Sequence, residues 1–314
     1  TTTIALTALA DNASITIDAT ADVQSTGGAH TYTADDILIT GTITATGQAV
    51  TLKSNTGGDT IDIGSTGTTT VDRLELSNAE LQRIAAGSLT IGTGAAGAVA
   101  FVTADVTPGS SGGGDLATVA VVTGSTITAT AAGIIETNLA LTAGGTINFA
   151  DANTNVATLA VSNAGQAVTF RDDTGLVIAA VVAAATVTGV TATTFNLTTS
   201  NGAVTDTAAL AVTGTTTIAA GTGGDITFDE GANNFGTVVI TTGRAVTLVD
   251  TNALTLGATT ASGLLSVTAG GVLTLSGAVS SGGTTVLTST ANDAGAITFA
   301  QGTQTITSTS RALS

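Results

Sequence analysis

The chain contains no cysteine, no methionine and no tryptophan, and it has only one proline and one tyrosine among 314 residues. Without cysteine, neither a disulfide framework nor a thiolate metal site is possible. Charged residues make up 9% of the chain, against about 25% in an average globular protein. Because the sequence does not begin with methionine, we expect a processed product or a segment of a longer protein.

Basic residues are the scarcest charged class. Six Lys and Arg stand against 22 Asp and Glu, which gives a net charge of −16. Binding to a phosphate backbone needs clustered basic side chains, and so does docking on anionic lipid headgroups. We therefore expect neither nucleic acid nor a membrane surface as a partner.

Long apolar segments are also missing. The longest uninterrupted apolar run is 176–185, about half of the roughly 20 residues that a membrane-spanning helix requires. We predict that this run is a buried stretch of the fold and that the chain does not insert into a membrane.

Aliphatic and β-branched residues dominate the sequence. Hydrophobic residues make up 43% of the chain although aromatics are only 3%, and there are 40 glycines. Thr and Val fit the pleated surface of a sheet, whereas frequent Gly marks tight turns. The mean hydropathy of +0.49 is too high for a disordered chain of this kind. This composition predicts an all-β protein with many short strands.

Internal echoes are spread along the chain. The first echo is Gly-Gln-Ala-Val-Thr-Leu, which occurs with small changes at 47–52, 165–170 and 243–248. The intervals between its copies are close to six units and four units of about 20 residues, a length within the range of solenoid repeats. A second echo of the type Gly-x-Ile-x-Phe occurs at 145–149, 224–228 and 295–299.

Short alternating segments such as Val-Thr-Leu place one set of side chains inward and Thr outward. Stacked coil on coil, such strands form long parallel sheets around a narrow core. We predict a right-handed parallel β-helix, continuous over 1–314, with roughly 20 residues per coil. An excursion loop is expected around 104–114, where the only proline, Pro108, precedes a Gly/Ser run. A stack of β-sandwiches is less favoured, since those domains use a buried Trp and more proline.

One segment resembles a known family. The motif Leu-Ser-Asn-Ala-Glu-Leu-Gln-Arg-Ile-Ala-Ala-Gly-Ser-Leu-Thr-Ile-Gly at 76–92 is similar to a motif of filamentous-haemagglutinin-like bacterial surface adhesins. The resemblance implies a secreted or surface-anchored shaft with a parallel β-helix fold, and it supplies no functional residues. Within the motif we predict one exposed helical turn over 80–86, with Leu81 and Ile84 packing inward.

Catalytic candidates are few. His30 is the only histidine, and its strand-like neighbours favour a surface or edge position. Glycoside hydrolysis needs two nearby carboxylates, and adjacent acidic pairs occur at 35–36, 172–173 and 229–230. Arg171 beside the second pair is the one lyase-like feature. Acidic residues are also common in turns, which is the interpretation we favour.

Two binding hypotheses come from turns and from threonines. One hypothesis is that calcium binds at the Gly-Gly-Asp segments that end at Asp59, Asp115 and Asp225. These segments do not form the tandem nonapeptide array of calcium-binding β-rolls. Thr-x-Thr pairs at 42–44 and 126–128 suggest a second hypothesis, ice binding. These pairs are scattered along the sequence, whereas an ice-binding face needs them at the same place on every coil. We assign no catalytic, cofactor or metal residues.

These observations predict a non-enzymatic structural protein, secreted by a bacterium to the cell surface or the medium, either an adhesin shaft or a filament subunit. The expected partners are further copies joined end to end, or the rest of a longer parent chain, with surface glycans as a further candidate. The alternative is a glycan-binding or glycan-degrading β-helix protein.

Overall fold

A computed structural model describes the chain at 3–66, 72–109, 116–290, 297–300 and 305–308. Nearly all regular elements of these residues are short β-strands, and the ladders that join them are parallel. The predicted all-β parallel β-helix is therefore confirmed. Its right-handedness stays a prediction. The one described helix has four residues, and no described helix is long and apolar enough to cross a membrane.

The residues group into two compact units. The first contains 1–163 and 181–187, and the second contains 164–180 and 188–314. The continuity of one solenoid over 1–314 stays a prediction, and each unit is described by itself.

The described part of the first unit contains the following strands and one helix before residue 163. They are β1 Ile4–Thr7, β2 Ser14–Ile17, β3 Asp22–Gln24, β4 His30–Thr33, β5 Asp36–Ile39, β6 Thr42–Lys53, β7 Thr60–Ile63, β8 Arg73–Leu76, α1 Asn78–Leu81, β9 Ile84–Thr93, β10 Val99–Phe101, β11 Thr118–Thr123, β12 Ile127–Ala129, β13 Ile135–Ala143, β14 Ile147–Phe149 and β15 Asn155–Ser162.

Successive coils of this unit stack in parallel register. Leu139 pairs with Val119 in the coil before it and with Leu159 in the coil after it. All three side chains are fully buried. The predicted coil of roughly 20 residues is thus present in 118–162, and its short strands β12 and β14 alternate between buried and more exposed side chains.

Other coils of the first unit contain insertions. Ile43 pairs with Ile84, and the chain between them is long enough to add the extra rung β8, in which Leu74 pairs with Ile61 across a short connection. Ile61 pairs on its other side with Val99. The core positions are kept because the loops at the coil corners take up the added length.

The helix α1 lies inside this insertion. Ser77 caps it, and Ser77 and Glu80 form a capping box in which each side chain accepts from the other residue's backbone N–H. Leu81 and Ile84 are fully buried, as expected. The expectation of an exposed turn over 80–86 is wrong in two respects: the helix ends at Leu81, and Glu80 is only 7% exposed.

The second unit contains the remaining described strands. They are β16 Ala167–Asp172, β17 Leu176–Ile178, β18 Ala180–Val182, β19 Thr186–Thr188, β20 Val190–Ala192, β21 Thr194–Thr199, β22 Val204–Asp206, β23 Leu210–Ala219, β24 Ile226–Phe228, β25 Asn234–Gly243, β26 Val246–Asp250, β27 Leu254–Ala261, β28 Leu265–Ala269, β29 Leu273–Leu275, β30 Val279–Ser281, β31 Thr285–Ser289, β32 Ile297–Phe299 and β33 Ile306–Ser308. The central residues of the β18–β19 hairpin, 181–187, belong to the first unit.

The described strands of this unit stack in three columns. Column A contains β16, β21 and the second half of β23; column B contains β17, β22, β24, β26, β28 and β31; column C contains β20 and the first half of β23. The long strands β23 and β25 pass around a corner from column C to column A. The later part of β25 pairs with β27, whose two halves pair in turn with β29 and β30. Val, Ile, Leu and Phe fill the space between the columns.

The column assignment corrects one interpretation of the echoes. Val168 lies in column A, where it pairs with Phe195, whereas its sequence equivalent Val246 lies in column B, where it pairs with Ile226. The interval between these two copies therefore spans three coils and one further face, not four whole coils. The interval between the first two copies joins the two units, and its division into six coils stays a prediction.

Glycines allow the coil corners to stack closely. The Gly270 N–H donates to Asp250 O one coil earlier, and a Cβ at Gly270 would lie 2.2 Å from Thr251 O. Gly282 repeats this arrangement against Ser262 O at 2.1 Å. A side chain at either corner would push neighbouring coils apart.

The apolar run 176–185 is only partly buried in the solenoid. Leu176 and Ile178 point into the core, as predicted. The following residues instead leave the coil as the β18–β19 hairpin, in which Val182 is 66% exposed. Val181 packs on an outward-facing row of alanines in the first unit, formed by Ala120, Ala140 and Ala160.

The predicted excursion loop is described only in part. In the described stretch 104–109, Val106 forms an isolated parallel β-bridge with Ile134. Positions 110–114 lie outside the described residues.

Candidate functional site

His30 is not at the surface. It is fully buried in β4, where Nδ1 lies 3.1 Å from the Tyr32 hydroxyl and Nε2 lies 2.7 Å from Ser25 Oγ. Burial lowers the pKa of His30. The surface prediction is wrong because the strand alternation of β4 turns His30 and Tyr32 to the inside, where they hydrogen-bond each other.

The acidic pair at 35–36 lies at a coil corner and is not a catalytic dyad. The Asp35 carboxylate accepts from Asn12 N at 2.8 Å and from Asn55 N at 3.3 Å, and it thereby ties three consecutive turns together. Asp36 begins β5. Burial, followed by the charges of Glu80 and Glu75, raises the pKa of Asp36.

Asp59 shares this corner with Asp35. Its carboxyl lies within hydrogen-bonding reach of the Asp35 carboxyl and accepts from the Thr56 backbone N–H. The residue is only 6% exposed, yet its Oδ2 has no hydrogen-bond partner. Burial, and then the charge of Asp35, raises the pKa of Asp59. Two buried carboxyl groups therefore lie close together at this corner, and one oxygen of Asp59 has no donor.

Glu80 joins the helix to a strand of another coil. Its Oε1 accepts from Ile39 N at 3.1 Å, and its Oε2 accepts from the Ser77 backbone N–H and hydroxyl, each at 2.7 Å. The sequence shows a Ser-x-x-Glu capping box at this point, but the long-range bond to Ile39 has no sequence signal.

The pair at 172–173 is separated by the strand alternation. Asp172 is fully buried and accepts from the Thr174 backbone N–H at 2.8 Å and from its hydroxyl at 2.9 Å. Asp173 is exposed at the following turn. Arg171 faces the other side of the strand, with a buried Nε that has no hydrogen-bond partner. The structure does not bring these residues together as a lyase-like cluster.

The pair at 229–230 also contributes to a corner. The backbone N–H groups of Asp229 and Glu230 donate to Asp206 Oδ1, one coil earlier, at 3.0 and 3.3 Å. Asp206 Oδ2 accepts from Asn233 Nδ2 at 2.6 Å, and Asn233 Oδ1 accepts from Leu210 N. Burial raises the pKa of Asp206 despite these bonds.

Asp250, at the end of β26, likewise accepts from backbone N–H groups at a corner. Its Oδ1 accepts from Phe235 N at 2.7 Å and its Oδ2 from Asn252 N at 3.1 Å. Burial raises the pKa of Asp250. Asp172, Asp206 and Asp250 each end a short strand, and each provides acceptors for backbone N–H groups that a tight corner leaves unpaired. Their chemistry is structural.

The Gly-Gly-Asp turns differ from one another. Asp225 is bound by Arg244, whose Nε lies 2.7 Å from Oδ1, and by Ala245 N. The bond to the Arg244 side chain holds the pKa of Asp225 below its usual value. The turn ending at Asp115 lies outside the described residues. Among the described residues, no group of three or more His, Asp or Glu side chains is placed to hold a metal.

The Thr-x-Thr pair at 42–44 is engaged by the protein itself. Both hydroxyls donate to Asp22 Oδ1 one coil earlier, Thr42 at 2.8 Å and Thr44 at 3.3 Å. These hydroxyls are therefore not arranged as a free row that could match an ice lattice.

An open cleft of about 680 Å³ lies in the first unit, lined by Pro108, Leu116, Ile135 and Glu136 among others. Burial raises the pKa of Glu136 to about 7. The Glu136 carboxylate accepts from the Thr137 N–H at 2.8 Å, and Glu136 is the one carboxylate among the described residues that line the cleft. The described lining therefore does not show the acidic pair that glycoside hydrolysis requires.

Comparison with known proteins concerns the C-terminal half of the chain. Residues 165–242 and 243–312 are each similar to a family of repeats of unknown function, DUF5649. The two segments begin at the glycines that open the second and third copies of the first echo. A search of curated proteins and a search of solved structures each gave no match.

Proposed function

We propose that this chain is a non-catalytic structural β-solenoid, a shaft segment of an extracellular or cell-surface fibre. The observation that carries the proposal is the ladder of parallel pairings through each unit. Column B, for example, passes without a break from Leu176 through Val204, Ile226, Val246 and Leu265. Each rung adds backbone hydrogen bonds and aliphatic burial to the one before, which suits an extended shaft built from stacked repeats.

Open strand edges support continuation of the stack. In the first unit β1, β2 and β3 each pair with one described strand, namely β4, β5 and β6. In the second unit β31, β32 and β33 likewise each have one described partner. An edge with unpaired N–H and C=O groups is a template for a further strand. The added strand would come from another copy of the chain or from more of a parent chain.

The buried carboxylates favour a structural role over the glycan-degrading alternative. Asp172, Asp206 and Asp250 accept hydrogen bonds from donors of the chain itself, and the acidic pair at 172–173 is split between core and surface. A sugar-cleaving groove would need carboxylates that face a ligand. Glycan binding by the outer surface remains the second hypothesis, and a bound sugar at clustered Asp residues would support it.

A strand-edge variant tests the proposal. Ile4 N and Ala8 N donate to the neighbouring strand, so the N–H of Ala5 faces the open edge by the alternation of a parallel ladder. Ala5→Pro removes that donor and keeps the pairing of β1 with β4. We expect wild type to form end-to-end filaments in electron micrographs as concentration rises, and Ala5→Pro to shift the onset to at least tenfold higher concentration.

Ala5→Ser is the matched control, because it changes the exposed side chain and keeps the N–H. It should assemble as wild type does. Isolated particles of wild type at every concentration would contradict assembly of this chain by strand addition and leave only continuation into a parent chain.

A further inference from the structure

The corner of Asp35 and Asp59 holds two buried carboxyl groups that lie within hydrogen-bonding reach of each other. Asp59 Oδ2 is buried and unpartnered, in a residue that is 6% exposed. Asp35 is 4% exposed, and its carboxylate already receives the backbone N–H groups of Asn12 and Asn55. Asp72 adds a third negative charge nearby.

No basic side chain forms an ion pair with this corner within the described residues. The two described ion pairs are Arg73 with Asp62 and Arg244 with Asp225, and neither includes Asp35 or Asp59. Two carboxylates at hydrogen-bonding distance repel each other unless a proton or a cation lies between them. A buried carboxylate oxygen without any partner is costly for the same reason.

The geometry points to a divalent-cation site at this corner, and we propose that Ca²⁺ binds between the carboxylates of Asp35 and Asp59. Ca²⁺ takes six to eight oxygen ligands in flexible geometry, and carboxylates are its preferred protein ligands. Asp59 Oδ2 offers an unused acceptor, and each Asp35 oxygen retains a lone pair beyond its bond to a backbone N–H. Water and backbone carbonyls would complete the shell. A site with two carboxylates should bind at about 10⁻⁴ to 10⁻³ M, in the range of extracellular modules.

The bound ion would fasten three turns of the first unit. Asp35 is tied to the turns at Asn12 and Asn55, and Asp59 directly precedes β7. Calcium would therefore stabilise the inserted part of the solenoid, whatever the function of the whole chain.

Terbium luminescence provides a direct test on the full chain. Tb³⁺ substitutes for Ca²⁺ at oxygen sites and emits when a nearby tyrosine is excited. Tyr32 is the only tyrosine and there is no tryptophan, so it is the sole efficient sensitiser. Tyr32 and Asp35 are three positions apart in sequence, which places their Cα atoms at most about 11 Å apart. We expect Tyr-sensitised Tb³⁺ emission that millimolar Ca²⁺ displaces.

Asp59→Asn should abolish that emission, because it removes the unpartnered carboxylate oxygen and keeps the shape. Asp225→Asn is the matched control: it also ends a Gly-Gly-Asp turn, but its carboxylate is bound by Arg244. It should leave the emission unchanged. In thermal unfolding, Ca²⁺ at about ten times its Kd should raise the wild-type midpoint by about 2–4 °C and leave Asp59→Asn unmoved.

Absence of any Ca²⁺ effect on wild type would overturn the proposal. If Asp59→Asn were then also more stable than wild type at neutral pH, a shared proton would account for the two close carboxyl groups. Sensitised emission that survives Asp59→Asn would also overturn it, since the ion would then be held by other carboxylates.

Discussion

Residues 118–162 and the described residues within 42–109 of the first unit build the same stacked core with different coil lengths. In the former, Val119, Leu139 and Leu159 follow one another at equal steps of one coil. In the latter, Val50 pairs with Leu89 across a connection nearly twice as long, and the insertion includes the helix α1 and the extra rung β8. Stacking on the neighbouring coil therefore determines where the strands lie. The corner loops can be longer, provided that their polar groups form hydrogen bonds.

The two stretches satisfy those groups differently. The regular coils use repeated short corners in which backbone groups pair with the coil before, as Gly145 N does with Ser125 O. The regular coils also contain cross-coil side-chain bonds, such as Asn138 Nδ2 to Ala117 O. The inserted coils and the corner before them instead use buried carboxylates, Glu80 and Asp35, that each accept from two separate backbone N–H groups. Individual substitutions at corners should therefore be costly in the inserted stretch and mild in the regular one.

The largest effects should come from the core and should be equal in the two stretches. Leu141→Ala in the regular coils and Leu52→Ala in the inserted coils each leave a cavity at a fully buried position. We expect each to lower the free energy of unfolding by about 2–5 kcal/mol in denaturant titrations. A loss below about 1 kcal/mol at Leu52 alone would mean that the insertion loosens the core.

The next largest effect should separate the two stretches. Glu80→Ala leaves the N–H groups of Ser77 and Ile39 without their acceptor and should lower the free energy of unfolding by about 3 kcal/mol. Glu80→Gln should give a stability between those of wild type and Glu80→Ala. Asp151→Ala is the matched corner variant in the regular coils, where the carboxylate accepts from Asn153 N at an exposed turn. It should cost no more than about 1 kcal/mol. Equal losses would contradict the comparison.

Two glycines with positive φ test the closeness of the stacking. Gly92 has φ of +86°, and a Cβ there would lie 2.3 Å from Val122 O. Gly47 has φ of +70° and nothing within 4 Å of that position. We expect Gly47→Ala to cost about 1 kcal/mol from the left-handed backbone alone, and Gly92→Ala to cost about 2–3 kcal/mol. Similar unfolding midpoints for the two variants would show that the coils can move apart.

A smaller effect concerns pH. Burial raises the pKa of Glu136 from 4.5 to about 7, so the folded state favours its protonated form. That contribution to stability is complete below pH 4.5 and is lost as pH rises to about 7. Glu136→Gln should flatten the stability profile in this window, measured by urea unfolding at several pH values. A profile identical to that of wild type would show that Glu136 is solvated.

The smallest effect should be at the exposed ion pair of the second unit. The Arg244 side chain is 59% exposed, and surface pairs contribute little. Arg244→Gln should leave the urea midpoint of unfolding close to that of wild type at physiological salt. A large fall in that midpoint would mean that this corner contributes as much to stability as the corners of Asp35 and Glu80.

Much of the fold is predictable from local patterns. Alternation in segments such as 246–248 identifies the strands and their inward side chains, and the spacing of the echoes gives the approximate length of a coil. The hydrogen bonds at the coil corners are harder to predict from the sequence. A capping box is visible at Ser77 and Glu80, but the bond from Ile39 to Glu80 joins residues 41 positions apart and depends on how the coils stack.

The errors share a physical cause. A surface position for His30 follows from the usual exposure of polar side chains, yet β4 turns it inward beside Tyr32. The apolar residues of 176–185 lead to the expectation of a continuous buried stretch. The same residues also fit a hairpin that packs on a row of alanines, and that is the arrangement in the structure. The copies of the echo at Val168 and Val246 lie on different faces because a repeat can contain a number of strands that is not a multiple of three. In each case the deciding partner is not visible in the local pattern.

We propose that the open strand edges let the stack continue from one chain to the next. Cryo-electron microscopy of assembled wild-type material tests it most directly, through the layer line at about 4.8 Å that stacked strands produce. We predict filaments whose reconstruction shows strands at this spacing continuing through the junctions between subunits. Filaments whose junctions interrupt the spacing of about 4.8 Å, or only single particles, would contradict the account.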